Sequence, residues 1–316
     1  MAQRYDVIVI GAGPAGYIAA IRAAQLGFKV ACVEKWRNPD GKMALGGTCL
    51  NVGCIPSKAL LASSGQFENA SRHLHEHGIV AKGVAVDVAK MIARKDAIVQ
   101  KMTKGIEFLF RKNKIDWLKG HGRFAGSAEG FHRVEVRDGD EVDLNEARNV
   151  ILATGSKARH LEGVTVDNVL VCDNEGALAF DSIPKRLGVI GAGVIGLELG
   201  SVWRRLGARV TILEAMPDFL AACDESVSKA CWNIFTEQGL DIRMGVEIGK
   251  IKPSMKGVAV EYKDAEAKAH KLAFDRLIVS VGRVPNTDDL GLDKVGLAPN
   301  ERGFVEVDDL CRTSVP

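Results

Sequence analysis

A chain of 316 residues, 47% of them apolar, has enough apolar side chains for more than one large core, so two or more domains are expected. Its 42 basic and 40 acidic side chains leave a formal charge of only +2, so net charge implies no nucleic-acid partner. No stretch is long and apolar enough to span a bilayer, the N-terminus lacks a basic leader and cleavage site, and the seven cysteines have no dense framework spacing. A cytoplasmic protein with mostly free thiols is the expectation.

In chain order, Tyr5–Ile10 reads as a strand, Gly11-Ala12-Gly13-Pro14-Ala15-Gly16 as a turn, and Pro14 to Leu26 as a helix. Val30–Val33 is a second strand, closed by Glu34. A polar loop over 35–45 carries Asn38-Pro39-Asp40-Gly41 as turn chemistry. One helix is expected from Pro56 into 73–77. A second, over 86–113, has Met91, Ile92, Ile98, Val99, Met102, Ile106, Leu109 and Phe110 at helical spacing. Short strands follow over 115–142, then a buried strand over 149–155 ending in the turn Thr154-Gly155.

The opening pattern then repeats. Leu187–Ile190 leads into Gly191-Ala192-Gly193-Val194-Ile195-Gly196, a helix over 195–206, and the strand Val210–Leu213 closed by Glu214. Another buried strand, 277–282, meets a turn at Gly282. The fold class expected is α/β, with two Rossmann-like dinucleotide-binding domains over 1–150 and 151–280 and an incomplete segment over 281–316.

In both copies the acid lies 23 residues after the first glycine, Gly11 to Glu34 and Gly191 to Glu214. The first glycine of each turn makes the bend, the second (Gly13, Gly193) admits a pyrophosphate, and the third (Gly16, Gly196) lets helix pack on strand. The helix N-terminus attracts phosphate charge and the acid accepts from a ribose hydroxyl. Two such turns imply two dinucleotides, hence electron traffic between them.

Between the copies lies Gly46-Gly47-Thr48-Cys49-Leu50-Asn51-Val52-Gly53-Cys54-Ile55-Pro56-Ser57-Lys58. Residues five apart on a regular helix have Cα atoms about 9 Å apart, whereas a disulfide needs them within about 7 Å. A Cys49–Cys54 bond therefore requires a distorted turn, for which Gly53 and Pro56 provide. Two buried thiols packing as small hydrophobes are the alternative. The position soon after the first dinucleotide motif favours the redox reading. Cys32, Cys172, Cys223, Cys231 and Cys311 have no partner at redox spacing and read as packing or surface thiols. His73, His75 and His77 read as a solvated helix face rather than a metal site, and Lys58 with Glu198 has an ordinary ion pair as its alternative.

These motifs, with Ala153-Thr154-Gly155 and Gly282-Arg283-Val284-Pro285-Asn286, give the chain a resemblance to the pyridine nucleotide–disulfide oxidoreductases along essentially its whole length. The resemblance implies FAD in the first unit and NAD in the second. It implies that Cys54 lies against the flavin as the charge-transfer thiolate while Cys49 exchanges with substrate. Lys58 would sit near the flavin, paired with Glu198. Gly122, Thr154 and Gly155 would contact FAD, and Val246 and Gly282 would line the NAD site. The implied reaction is reoxidation of a dihydrolipoyl group on the lipoyl domain of a 2-oxoacid dehydrogenase complex. The Glu214 carboxylate favours NAD over NADP. Glutathione and mercuric reductases, which use NADPH, are the alternative within the family, whereas related transhydrogenases lack the cysteine pair. In such proteins the chain next returns to the FAD domain and then builds a domain for homodimerisation, with a His–Glu base. Here it stops at Pro316, so that domain is expected to be absent, FAD binding weak and turnover poor. An inactive nucleotide-binding module is the alternative of a different class.

Overall fold

A computed structural model describes residues 2–316. The chain runs β1 (Gln3–Ile10), α1 (Pro14–Gln25), β2 (Val30–Glu34), α2 (Gly47–Val52), α3 (Cys54–Glu68), a π turn and a 3₁₀ turn to His77, and α4 (Val88–Lys112). It continues through β3 (Asp116–Lys119), β4 (His121–Ala128), β5 (Phe131–Asp138), β6 (Glu141–Leu152), β7 (Ser156–Ala158), β8 (Val171–Cys172) and α5 (Asn174–Ala177). Then come β9 (Arg186–Ile190), α6 (Val194–Arg205), β10 (Arg209–Leu213), α7 (Glu225–Glu237), β11 (Asp241–Arg243), β12 (Glu247–Ser254), β13 (Gly257–Lys263), β14 (Ala269–Phe274), β15 (Arg276–Val279), β16 (Arg283–Pro285) and a 3₁₀ turn over Leu292–Val295.

The residues group into two discontinuous units: 1–54, 99–157 and 284–316 in the first, 55–98 and 158–283 in the second. The assignment of 55–98 to the second unit was not anticipated.

In unit 1 a six-stranded sheet has the order β3-β2-β1-β6-β5-β4. β1 pairs in parallel with β2 and β6, while β4, β5 and β6 form an antiparallel meander. A central parallel strand is covered on both faces, which explains why Val7–Ile10 is apolar without alternation. Tyr5, Ile8, Ile10, Ala31, Val33, Val134 and Val136 form one core. Phe124 of β4 forms a smaller one with Leu290 and Leu292.

In unit 2 the parallel sheet runs β11-β10-β9-β15-β8, and β12-β13-β14 form a separate antiparallel sheet. α6 packs on β9 and β10. Leu60 of α3 and Met91 of α4 join Phe180, Trp203 and Leu199 in the main core, which is why the segment 55–98 belongs here. Among the described residues no helix is long and apolar enough to cross a membrane.

Candidate active site

Each glycine turn is fixed by sterics that only glycine satisfies. Gly11 sits at φ +103°, and a Cβ there would meet the Ala153 carbonyl oxygen at 2.3 Å. A Cβ on Gly16 would lie 1.7 Å from the Gly11 oxygen, so α1 presses directly onto the turn. A Cβ on Gly13 would meet nothing nearer than Gly47 Cα at 3.9 Å, leaving room for a ligand to reach the backbone. The second turn repeats this: Gly191 at φ +104° against the Ser280 oxygen at 2.2 Å, Gly196 against the Gly191 oxygen at 2.1 Å, and open space at Gly193. α1 and α6 begin after Gly13 and Gly193, neither of which supplies a side-chain cap. Their first N–H groups are thus available to an anion.

The two acids brace the turns they follow. Glu34 is only 8% exposed and accepts from the N–H of Ala12 at 2.9 Å and from those of Lys35 and Trp36 at 2.8 Å. Glu214 accepts from Ala192 N–H at 2.6 Å and Met216 N–H at 2.8 Å. Three N–H groups, that of Ala12 buried and the others part-buried, converge on the Glu34 carboxylate and hold strand end and turn in register. These cradles fit a dinucleotide: a bend, an open second glycine, uncapped helix N–H groups and a fixed acid.

The cysteine segment is tied to the first turn. Gly46 N–H donates to the Ala12 carbonyl at 2.8 Å, and Gly47 packs so closely that a Cβ on it would lie 2.6 Å from Gly13 Cα. α2 ends at Val52, Gly53 breaks the helix, and α3 restarts at Cys54. Across that break Cys49 and Cys54 form a disulfide with Cα atoms 4.7 Å apart. The distortion expected from the spacing is therefore a helix break. Gly53 is required at it, since a Cβ there would lie 2.9 Å from the Thr48 carbonyl oxygen.

Lys58 of α3 pairs with Glu198 of α6 through its Nζ. The second carboxylate oxygen of Glu198 accepts from the hydroxyl of Ser57, which is 6% exposed, at 3.0 Å. Ser57 was not singled out from the sequence. Its only signal there was its place beside Lys58, because the partner lies 141 positions away. Asn286 joins the first site by donating its side-chain N–H to Thr154 O at 3.1 Å and its backbone N–H to Gly155 O at 2.9 Å. Gly122 lies under β1 and β2, where a Cβ would press on Val33 at 3.0 Å and Ile10 at 3.2 Å. Val246 is buried and donates its N–H to the Glu214 carbonyl at 2.9 Å, while the Gly282 carbonyl accepts from Arg159 N–H at 3.0 Å.

The remaining thiols differ from this pair. Cys32 and Cys172 are buried; burial raises the Cys32 thiol strongly and pushes Cys172 up to about 12, so both stay protonated and unreactive. Cys223 and Cys311 are exposed, and Cys231 is half-buried. His73 Nδ1 lies 3.0 Å from Glu76 on an exposed helix surface.

Residues 5–316 match the family described as pyridine nucleotide-disulphide oxidoreductase. The chain belongs to this family. Among its relatives, dihydrolipoyl dehydrogenase of Cupriavidus necator is 64% identical over 100% of this chain and 66% of its own length. Dihydrolipoyl dehydrogenase 3 of Pseudomonas aeruginosa is 47% identical over 97% of this chain and 64% of its own. Among solved structures of flavoprotein disulfide reductases, the Cu(II) complex of HOCl-induced RclA from Escherichia coli superposes with a TM-score of 0.82 at 27% identity, covering 100% of this chain and 64% of that one. This oxidoreductase chain thus spans slightly less than two thirds of the length of the relatives it matches.

Proposed function

We propose that the chain carries the nucleotide-binding and disulfide portion of a dihydrolipoyl dehydrogenase. It would reoxidise a lipoyl-domain dithiol of a 2-oxoacid dehydrogenase complex in the cytoplasm, with FAD in unit 1 and NAD in unit 2. The observation that carries this reading is the coupling of the Cys49–Cys54 disulfide to the first dinucleotide turn through Gly46–Ala12 and Gly47–Gly13. The 64% identity to the Cupriavidus necator enzyme supports lipoyl chemistry over a glutathione or mercuric reductase.

The protein's own part is thiol exchange and charge placement. One substrate thiolate attacks Cys49 Sγ, forming a mixed disulfide and releasing Cys54 as thiolate. The second substrate thiol then displaces Cys49, which leaves protonated. The substrate becomes a disulfide and the enzyme pair a thiol and a thiolate, so atoms and electrons balance. Cys54 stands at the start of α3, where the positive helix end favours thiolate, and Lys58 follows one turn later. Glu198, held by Ser57, fixes the Lys58 ammonium. FAD, when bound, supplies the two-electron carrier between that thiolate and NAD. Glu214, whose carboxylate suits a ribose 2′-hydroxyl and repels a 2′-phosphate, favours NAD.

The test is anaerobic addition of dihydrolipoamide to the chain in excess FAD. The flavin is expected to bleach with wild type and to stay oxidised with Cys49→Ser, while FAD fluorescence quenching is equal in both. Bleaching at the wild-type rate by Cys49→Ser would overturn the assignment, as would absence of flavin binding.

A further inference from the structure

The polar stretch 35–45 has no part in the thiol exchange, yet its two ends are fastened at the two ends of the first cradle. At one end the N–H groups of Lys35 and Trp36 donate to the Glu34 carboxylate at 2.8 Å. At the other, Gly46 N–H donates to the Ala12 carbonyl at 2.8 Å, and Gly47 packs on Gly13. A ligand reaching from the glycine turn to the acid therefore runs alongside this stretch, which walls its path.

Between those ends the chain closes on itself as a small hairpin. Arg37 and Met43 form an antiparallel bridge, Ala44 N–H donates to the Trp36 carbonyl at 3.1 Å, and Asn38 N–H donates to the Lys42 carbonyl at 2.9 Å. Asn38 Oδ1 accepts from Lys42 N–H at 2.8 Å, so the tip is shaped by its own residues. None of residues 37–42 is buried, and packing does not hold them. An arginine does. Arg37 donates from one terminal guanidinium nitrogen to the Gly41 carbonyl at 2.9 Å, and from the other to both oxygens of Asp138 at 2.6 and 2.8 Å. Asp138 ends β5, so the tip is tied to the sheet. With Arg37 46% and Asp138 41% exposed, water competes for both partners. A segment held by a screened ion pair opens far more readily than one held by a core.

We propose that the hairpin over 36–44 is a gate on the first nucleotide site, latched by Arg37 on Asp138, which sets how fast FAD enters and leaves. The inference rests on reading unit 1 as the FAD site. When the ion pair parts, the tip swings from the sheet while Glu34 and Ala12 keep the two ends in place. A gate scales entry and exit together and leaves affinity nearly unchanged. A side chain that touched bound FAD would instead change mainly the exit rate.

The experiment is stopped-flow mixing of FAD with the flavin-free full chain, in which the change in FAD fluorescence yields both rates, beside amide hydrogen exchange over 38–44 without FAD. Arg37→Ala and Asp138→Asn should each raise the association and dissociation rates about two- to fivefold, the range for an exposed ion pair, and keep Kd within about twofold. Amides of 38–44 should exchange faster in the same variants. The double variant should be no faster than Arg37→Ala alone, because both changes break one latch. Arg123→Ala, which breaks an exposed pair with Glu135 on the same sheet, should change neither rate. Faster exit with unchanged entry, additive effects in the double variant, or rates or exchange unchanged in both single variants would overturn the gate and leave the FAD reading standing. No fluorescence change with wild type overturns both.

Discussion

A Cβ on Gly53 would lie 2.9 Å from the Thr48 carbonyl oxygen and 3.2 Å from Cys49 Cα, closer than a methyl tolerates. Both contacts are on the segment that must fold back for Cys54 to reach Cys49. Gly53→Ala should therefore open the break and disfavour the disulfide, at a cost of about 1–3 kcal/mol, the usual range for overpacking. Titrating free thiols across a dithiothreitol series checks this, and the variant should show the reduced pair under milder reducing conditions than wild type. The Lys58–Glu198 pair should behave differently. Lys58 is 59% exposed and Glu198 21%, so water screens much of their attraction. Glu198→Gln should change the unfolding free energy measured in urea by less than about 1 kcal/mol. A loss of several kcal/mol would make the pair structural and remove it from the chemistry.

At the scale of elements, the acid that ends each second strand joins strand to turn. Removing Glu34 leaves the N–H groups of Ala12, Lys35 and Trp36 without their shared acceptor. Glu34→Ala should destabilise unit 1 by about 1–3 kcal/mol, because the orphaned buried donor of Ala12 costs more than a hydrogen bond contributes. Glu34→Gln, which keeps one acceptor oxygen, should cost less, and urea unfolding of both variants distinguishes them. In unit 2, Asp275 links the turn before β15 to β9. It accepts from Arg186 N–H at 2.9 Å and from the guanidinium at 2.8 and 3.2 Å. Burial alone would raise its carboxyl, but these donors outweigh burial and hold it below its ordinary value. A depressed carboxyl contributes stability above its unfolded value of about 4 and loses it as pH falls through the folded value. Asp275→Asn should thus cost about 1 kcal/mol at pH 7, discounted for partial exposure, and nearly nothing at pH 3. Urea midpoints at the two pH values check the sign.

The glycine turns, their acids and the break at Gly53 were legible because each is a local demand of sterics on neighbouring residues. The contact of Ser57 with Glu198 was not, because it forms only after α3 and α6 pack. Nor was the joining of 55–98 to the second core: Leu60 and Met91 are apolar at helical spacing whichever core receives them, and periodicity does not name a partner.

For the molecule as a whole, unit 1 is assembled from three stretches of chain, so its stability depends on residues far from either glycine turn. Leu290, at 3% exposure, and Leu292, at 5%, are buried with Phe124, and the Gly291 backbone lies against Phe124. Phe124 N–H donates to the Leu290 carbonyl at 2.8 Å, and His121 Nε2 lies 3.1 Å from the Asp289 carbonyl. Deleting 284–316 would expose Phe124 and orphan that N–H. At roughly 1.5–3 kcal/mol for each large apolar side chain returned to water, several kcal/mol would leave unit 1. Unit 2 keeps its own core around Trp203 and Phe180 and should be little affected. The tryptophans allow each unit to be followed separately, since Trp36 and Trp117 lie in unit 1 and Trp203 and Trp232 in unit 2. In a chain ending at Arg283, fluorescence from a Trp203→Phe/Trp232→Phe background should report unfolding at much lower urea than in the full chain. A Trp36→Phe/Trp117→Phe background should report nearly the same midpoint as before. Equal shifts in both backgrounds would mean that the units unfold as one and that their separation is not thermodynamic.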